Sequence, residues 1–213
     1  MPKKSFEQIK KEFVDSAKIR GHKTNNPVIV ALVGVTGSGN STISRAIKKV
    51  LDWNIIEKNK IRVALREKGR GFNPQNTDEI QYAMLGKILK AGGNAILDSD
   101  FVEKAKRAKL EKFARKFRAV VLYLHLTCDF DPMIERILKG RYNPKTDIFK
   151  NVVIAVREHC RRLGWHYRWS ESNGGQYATK KLPIKFFAEI DTTDLEKWKA
   201  KIKIIAQKIK TGR

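Results

Sequence analysis

The sequence predicts an α/β fold in which helices cover both faces of a parallel sheet, and three observations carry that prediction. Residues Val28–Val33, VIVALV, form a continuous apolar run of strand length closed by Gly34, as a strand buried on both faces of a parallel sheet requires. Strand-like and helix-like segments alternate after it, which implies βαβ units. A chain of 213 residues with 41% hydrophobic content is long enough for one sizeable core, or one core with a small lid, and too short for two large domains.

Residues 1–26 read as a basic amphipathic helix with Phe6, Ile9, Phe13 and Ala17 on one face, followed by the polar break GHKTNNP, where Pro27 stops any helix. This stretch is expected to be an appendage to a domain spanning 27–213. After the first strand, 41–51 is helical, 54–57 is a short strand and 58–67 is helical again before the turn-rich GRGFNPQNTD. Residues 77–90 form an amphipathic helix, 94–98 a strand, and 101–117 a strongly basic helix starting at Phe101. A long strand over 119–126, a last strand over 187–191 and a terminal helix over about 194–209 complete the pattern. The stretch between those last two strands exceeds a simple crossover. It holds a candidate lid (approximately 131–145), a helix near 147–163, and GWHYRWSESNGGQYATKK, which is loop by composition.

The charge narrows the partners. With 45 Lys and Arg against 22 Asp and Glu, the chain carries +23 and a pI near 10.1, which points to a polyanion or a phosphorylated ligand. No apolar run reaches the ~18 residues of a membrane span, and no apolar segment follows the basic start MPKKSFEQIKKEF, so no membrane partner and no secretory signal are expected. Cys128 and Cys160 form neither a Cys-x-x-Cys pair nor a Cys/His cluster. On these cysteines neither a disulfide framework nor a structural zinc site can be argued, and a reducing cytoplasm is the expected location.

The chemistry concentrates after the first strand. Gly34-Val35-Thr36-Gly37-Ser38-Gly39-Asn40-Ser41-Thr42 lies between a buried strand and a helix, the setting of a Walker A phosphate loop, G-x-x-x-x-G-K-[ST]. Glycines let successive N–H groups turn toward an anion, and the helix adds its positive end. Ser41 is placed to put its hydroxyl on Mg²⁺. The departure is Asn40, which stands where the motif has the lysine that bridges the β- and γ-phosphates.

With the strand and helix order after it, GVTGSGNST resembles the P-loop kinases of the polynucleotide kinase, zeta toxin and gluconate kinase group over roughly residues 28–209. The resemblance implies a P-loop NTPase fold of the nucleoside-monophosphate-kinase kind with a small lid, and ATP and Mg²⁺ as cofactors. In that group an aspartate follows the second strand as base toward the acceptor hydroxyl, and an arginine three residues later holds substrate or phosphate. Here Arg62 matches the arginine, while Asn59 occupies the aspartate position and has no proton affinity useful near neutral pH. Glu57 is a candidate stand-in for the base. Asp98, ending Ile96-Leu97-Asp98, matches the group's metal-orienting aspartate, and Asp100 suits capping of the next helix as well as function. The lid segment PMIERILKGRYN resembles the group's arginine-bearing lid, which offers Arg136 and Arg141 for the transferring phosphoryl group and Lys139 as a substitute for the charge missing at position 40.

In the run from Arg161 to Trp169, cations alternate with Trp165, Tyr167 and Trp169. The pattern suits base stacking on a nucleic acid and equally suits a strand edge with one face in the core, on which reading His166 points outward. Two functions therefore stand. One is an ATP-dependent phosphotransferase acting on a hydroxyl, with a nucleotide or polynucleotide end favoured by the charge. The other is a catalytically weakened P-loop protein that binds nucleotide or nucleic acid, which includes an inactivated variant of such a kinase.

Overall fold

In the computed structural model, residues 4–71, 73–194 and 196–211 are described. The first three residues of the basic N-terminal stretch and Phe72 of the turn-rich segment lie outside the described residues. The elements in chain order are α1 (Phe6–Ser16), β1 (Val28–Val33), α2 (Asn40–Leu51), β2 (Asn54–Glu57), α3 (Lys58–Glu67), α4 (Pro74–Lys90), β3 (Ala95–Asp98) and α5 (Lys104–Arg115). They continue with β4 (Val120–Thr127), α6 (Phe130–Leu138), α7 (Val152–His166), β5 (Tyr167–Ser170), β6 (Gln176–Thr179), β7 (Ala188–Asp191) and α8 (Lys197–Thr211).

Five parallel strands form one sheet in the order β2-β3-β1-β4-β7. The apolar run of β1 is buried on both faces because its neighbours in the sequence alternate between two cores. Ile29, Ala31 and Val33 face a core completed by Ile61 and Leu65 of α3, Ile80 and Leu85 of α4, and Leu110 of α5. Val30 and Leu32 face the opposite core, with Ile43 and Ile47 of α2 and Ile202 and Ile205 of α8. This three-layer arrangement is an α/β P-loop NTPase fold, and its central strand delivers residues 34–39 to the carboxyl edge of the sheet, where ligands bind in open α/β folds. The N-terminal α1 opens with a capping box between Ser5 and Gln8 and lays Ile9 fully into the first core.

Several boundaries differ from expectation, each for a local reason. Helix α4 starts at Pro74 because the Asn73 side chain accepts the N–H groups of Gln75 and Asn76, and proline at the first helical position costs no hydrogen bond. Helix α5 starts at Lys104 instead of Phe101, because the Phe101 N–H is used by Leu32 O (3.0 Å) and its ring is buried. The segment expected to be loop, GWHYRWSESNGGQYATKK, is largely not one: β5 and β6 pair as an antiparallel hairpin, Tyr167 opposite Thr179 and Trp169 opposite Tyr177. Tyr167 and Trp169 share one face of β5, joined through the rings of Phe130 and Tyr177, as the strand-edge reading expects, while Trp165 belongs to α7 instead. Trp165 ends α7 half exposed, Tyr167 is buried with its hydroxyl on Cys128 O (2.7 Å), and Trp169 is exposed.

Candidate active site

The loop after β1 is shaped as an anion cradle. Gly37 and Gly39 have φ of +92° and +88°, the left-handed region open at little cost to glycine alone. At Gly34 a Cβ would lie 2.6 Å from Ser38 Oγ and 2.8 Å from Asn40 Oδ1, so the third glycine is required by close approach. Ser38, fully buried, closes the turn by donating its N–H and hydroxyl to Val35 O at 3.1 and 2.8 Å. Helix α2 then begins with no side-chain cap and no acidic residue in its first turn. Its N–H groups and positive dipole end are thus available to an anion.

Asn40 is drawn back into this loop. Its Nδ2 donates to Gly34 O at 2.7 Å, and its Oδ1 is buried without a hydrogen-bond partner. A neutral amide thus occupies the start of α2 and spends its donor on the loop itself. Ser41 and Asp98 lie together beside it. Asp98 is about one-tenth exposed, and burial raises its pKa against the opposing hydrogen bond from the Ser41 hydroxyl. A buried carboxylate resisting ionisation next to a hydroxyl suits a hard divalent cation, which would supply the missing positive charge.

The loop opens on a cavity of about 630 Å³ lined also by Asn59 and Arg62 of α3, Asp98 and Asp100 after β3, Arg136 of α6, and Glu158, Arg161 and Arg162 of α7. Gly34, Thr36, Gly37, Gly39, Asn40, Ser41 and Thr42 line it as well, while Ser38 sits behind the loop. Asn59 accepts from Arg62 Nη1 at 3.1 Å. Glu57 does not line the cavity. Burial pushes its pKa up, but hydrogen bonds from Lys60 and Arg45 outweigh burial and hold it below the ordinary carboxylate value, so it is a poor stand-in base.

The lid residues separate. Arg136 lines the cavity but gives Nη2 to Thr192 O (2.5 Å) and Thr193 O (3.0 Å) after β7, and Thr192 Oγ1 donates to Ser38 O at 3.0 Å. This chain braces the phosphate loop from behind. Lys139 pairs with Glu135 on the outer face of α6 and does not reach the cavity, so it does not replace the charge absent at Asn40. Arg141 is exposed and lies outside the cavity lining. His166 is the reverse of the expected outward residue: it is buried, with Nε2 3.0 Å from Asp100 Oδ2.

The comparisons with known proteins agree with this geometry. An AAA domain family profile matches residues 29–163, from the first strand through the phosphate loop to α7. The chain belongs to this AAA domain family. Among solved structures, a kinase candidate from Chloroflexus aurantiacus superposes with a TM-score of 0.60 at 16% identity, covering 87% of this chain and 98% of that one. The Mycobacterium tuberculosis APS kinase in complex with AMPPNP and APS gives 0.53 at 14%, covering 87% and 96%. A gluconokinase from Sinorhizobium meliloti gives 0.51 at 13%, covering 90% and 97%. No curated protein matches the sequence. At these identities the structural likeness shows the fold, the α/β P-loop NTPase arrangement.

Three features of this chain were missed by sequence reasoning. Thr192, the brace behind the loop, follows the last strand at the carboxyl edge of the sheet, and that position was its signal. The Asp100, Arg162 and His166 cluster joins residues far apart in the chain and had none. The third is His159, buried on α7 with Nδ1 3.2 Å from Thr36 O of the phosphate loop. Burial lowers its pKa below the ordinary 6.5, against the Thr36 carbonyl, which raises it. A histidine with a depressed folded pKa contributes stability in full above the unfolded value and loses it as pH falls toward the folded value. The melting temperature therefore falls as pH is lowered from 7 through 6.5 toward 5, and His159→Gln flattens that part of the profile; an unchanged slope in the variant would remove His159 as its source.

Proposed function

We propose that the chain is a P-loop phosphotransferase that binds a nucleoside triphosphate with Mg²⁺ and directs its γ-phosphoryl group to a hydroxyl, with turnover limited by Asn40 and Asn59. The observation that carries this reading is the cradle of Gly34, Gly37 and Gly39 at the open start of α2, with Ser41 and Asp98 beside it, facing a cavity that also holds Asn59 and Arg62. In this reading the backbone from Gly37 to Ser41 holds the β-phosphate, with Thr36 and Thr42 at the rim. Ser41 and Asp98 hold the cation, which when bound neutralises the phosphate oxygens. Arg62 orients the acceptor and Asn59 hydrogen-bonds its hydroxyl without taking the proton. Arg136 keeps the loop in register through Thr192, and Arg141 reaches the cavity only if the segment after α6 closes.

The acceptor we favour is a nucleotide or polynucleotide end, on the strength of the +23 charge and of a cavity lined by more cations than acids. Cytoplasmic placement is supported by Cys160, an exposed free thiol of the kind a reducing compartment tolerates. The binding-only reading is favoured by one contact, Asn40 Nδ2 on Gly34 O, which leaves the loop without a side chain extended to the γ-phosphate.

Calorimetric titration of AMPPNP with and without Mg²⁺ tests nucleotide binding directly. The expected result is binding that Mg²⁺ strengthens in the protein as it stands, with that Mg²⁺ effect lost in Ser41→Ala. No measurable binding in either condition would remove the phosphate-loop function.

A further inference from the structure

Resting on the phosphotransferase reading, we infer that the acceptor carries a phosphate ester of its own, held in the cavity by Arg162 of α7 and Arg62 of α3, with Lys150 in the same lining. Three observations support this independently of the phosphate loop.

The first is that Arg162 is fixed in place before any ligand arrives. Its Nη1 lies 3.0 Å from Asp100 Oδ2, its guanidinium sits 5.4 Å from the Trp165 ring centroid, and it lines the cavity. Asp100 is itself committed. Oδ2 also meets His166 Nε2 at 3.0 Å and Oδ1 accepts the Val102 N–H at 3.1 Å, with the Asp100 and His166 side chains 7% and 4% exposed. A guanidinium presents five N–H donors in a planar fork. With one donor on Asp100 and a ring against it, the remaining donors are held without further loss of rotamer freedom, which is how a fork recognises a phosphate.

The second is that like charges are gathered there. The pKa of Arg62 is lowered by burial first and by the charge of Arg162 next, with Arg161 adding to it and Asp78 and Glu158 opposing. Guanidinium groups close enough to depress one another are relieved by an anion between them.

The third is the balance of the lining. Eight Lys and Arg side chains line the cavity against Asp98, Asp100 and Glu158. Asp98 lies with Ser41 at the proposed cation site, Asp100 is taken by Arg162 and His166, and Glu158 accepts from Arg161 at 2.9 Å. No lining carboxylate is left to accept the hydroxyls of an uncharged sugar. Although Lys58 pairs with Asp78, Lys106 with Glu103 and Arg161 with Glu158, and Arg66 and Arg136 donate to backbone carbonyls, the remaining donors of Arg162 and the exposed Lys150 stay in the lining to meet an anion.

The ligand chemistry has two sources, a small phosphorylated alcohol or the end of a nucleic acid, and matched pairs separate them. With the phosphate loop filled by Mg·AMPPNP, binding is measured for ribose 5-phosphate against ribose, and for a 5′-hydroxyl diadenosine monophosphate against adenosine. In at least one pair the phosphate-bearing member binds about 10-fold to 100-fold more tightly, the range expected for charge-assisted hydrogen bonds. Arg162→Gln brings that ratio below about 3, and the exposed Arg168→Gln on β5 leaves it unchanged. Asp100→Asn, which weakens the hold on Arg162 and His166 but can still accept the Val102 N–H, lowers the same ratio while AMPPNP affinity holds; general loosening would lower both. Ratios near one in both pairs, no binding by either phosphate-bearing member, or a ratio that survives Arg162→Gln would overturn the inference. If AMPPNP does not bind while a phosphate-bearing member is still preferred, the phosphotransferase reading fails and the anion site stands.

Discussion

Restoring lysine and aspartate together, as Asn40→Lys with Asn59→Asp, raises transfer of labelled γ-phosphate from Mg·ATP to a 5′-hydroxyl oligonucleotide by about 10⁴-fold or more over the chain as it stands. The size follows from what each residue lacks. A preorganised positive charge at developing transition-state charge accounts for about 10² to 10³ in rate, and a positioned general base for a further 10² to 10⁴. Geometry sets the order of the two effects. Asn40 is anchored by Nδ2 on Gly34 O, and the longer lysine releases that carbonyl and carries its ammonium past the loop. Asn59 lies 3.1 Å from Arg62, so an aspartate there gains an ion-pair partner that holds it ionised near neutral pH and fixes its orientation. Because the two groups act on one transition state, the single changes recover less than their product suggests. If the double variant binds Mg·AMPPNP more tightly but labels no oligonucleotide, the acceptor is not a nucleic acid end. Small phosphorylated alcohols then become the panel.

The parts of this molecule legible in the sequence are those set by local pattern. VIVALV reads as a doubly buried strand because both faces of β1 meet a core, and the loop glycines read as a phosphate cradle because their conformational demand is local. The short polar hairpin was legible only in part: the alternation of Tyr167 and Trp169 allowed a strand edge, which β5 is, but Arg168 and Gln176 resemble loop residues until the pairing of β5 with β6 is known. Arg136 shows the limit from another side. Its place in the chain suggests a lid arginine, but its hydrogen bonds are spent on Thr192 and Thr193, contacts fixed by how α6 packs beside the end of β7. The Asp100 and Arg162 pair is likewise a product of tertiary placement: the two residues are 62 apart in the chain, and only the fold brings them to 3.0 Å.

Replacing Gly37 by valine abolishes measurable AMPPNP binding, a loss of at least about 100-fold, and the cause is separable from general instability. At φ +92° a side chain costs on the order of 1–3 kcal/mol in backbone strain, and the loop can escape that strain only by turning the peptides that face the anion. Space adds to it. A Cβ at Gly37 would lie 2.8 Å from Met133 Cγ and 3.1 Å from Ile137 Cδ1, with Met133 fully buried beneath Tyr167. The two causes respond differently to a second change. Met133→Ala in the Gly37→Ala background opens room for the methyl group and recovers part of the lost melting temperature. Nucleotide affinity stays low, because the demand on φ is untouched. Gly71, with φ +65° and nothing within 4 Å of its Cβ direction, is the control: Gly71→Ala carries backbone strain alone, at a position outside the cavity lining, and leaves AMPPNP affinity as it is. Should Gly37→Ala keep that affinity within about threefold, which corresponds to less than about 1 kcal/mol, the turn of the loop at Gly37 is not what holds the phosphates, and the start of α2 alone carries the binding.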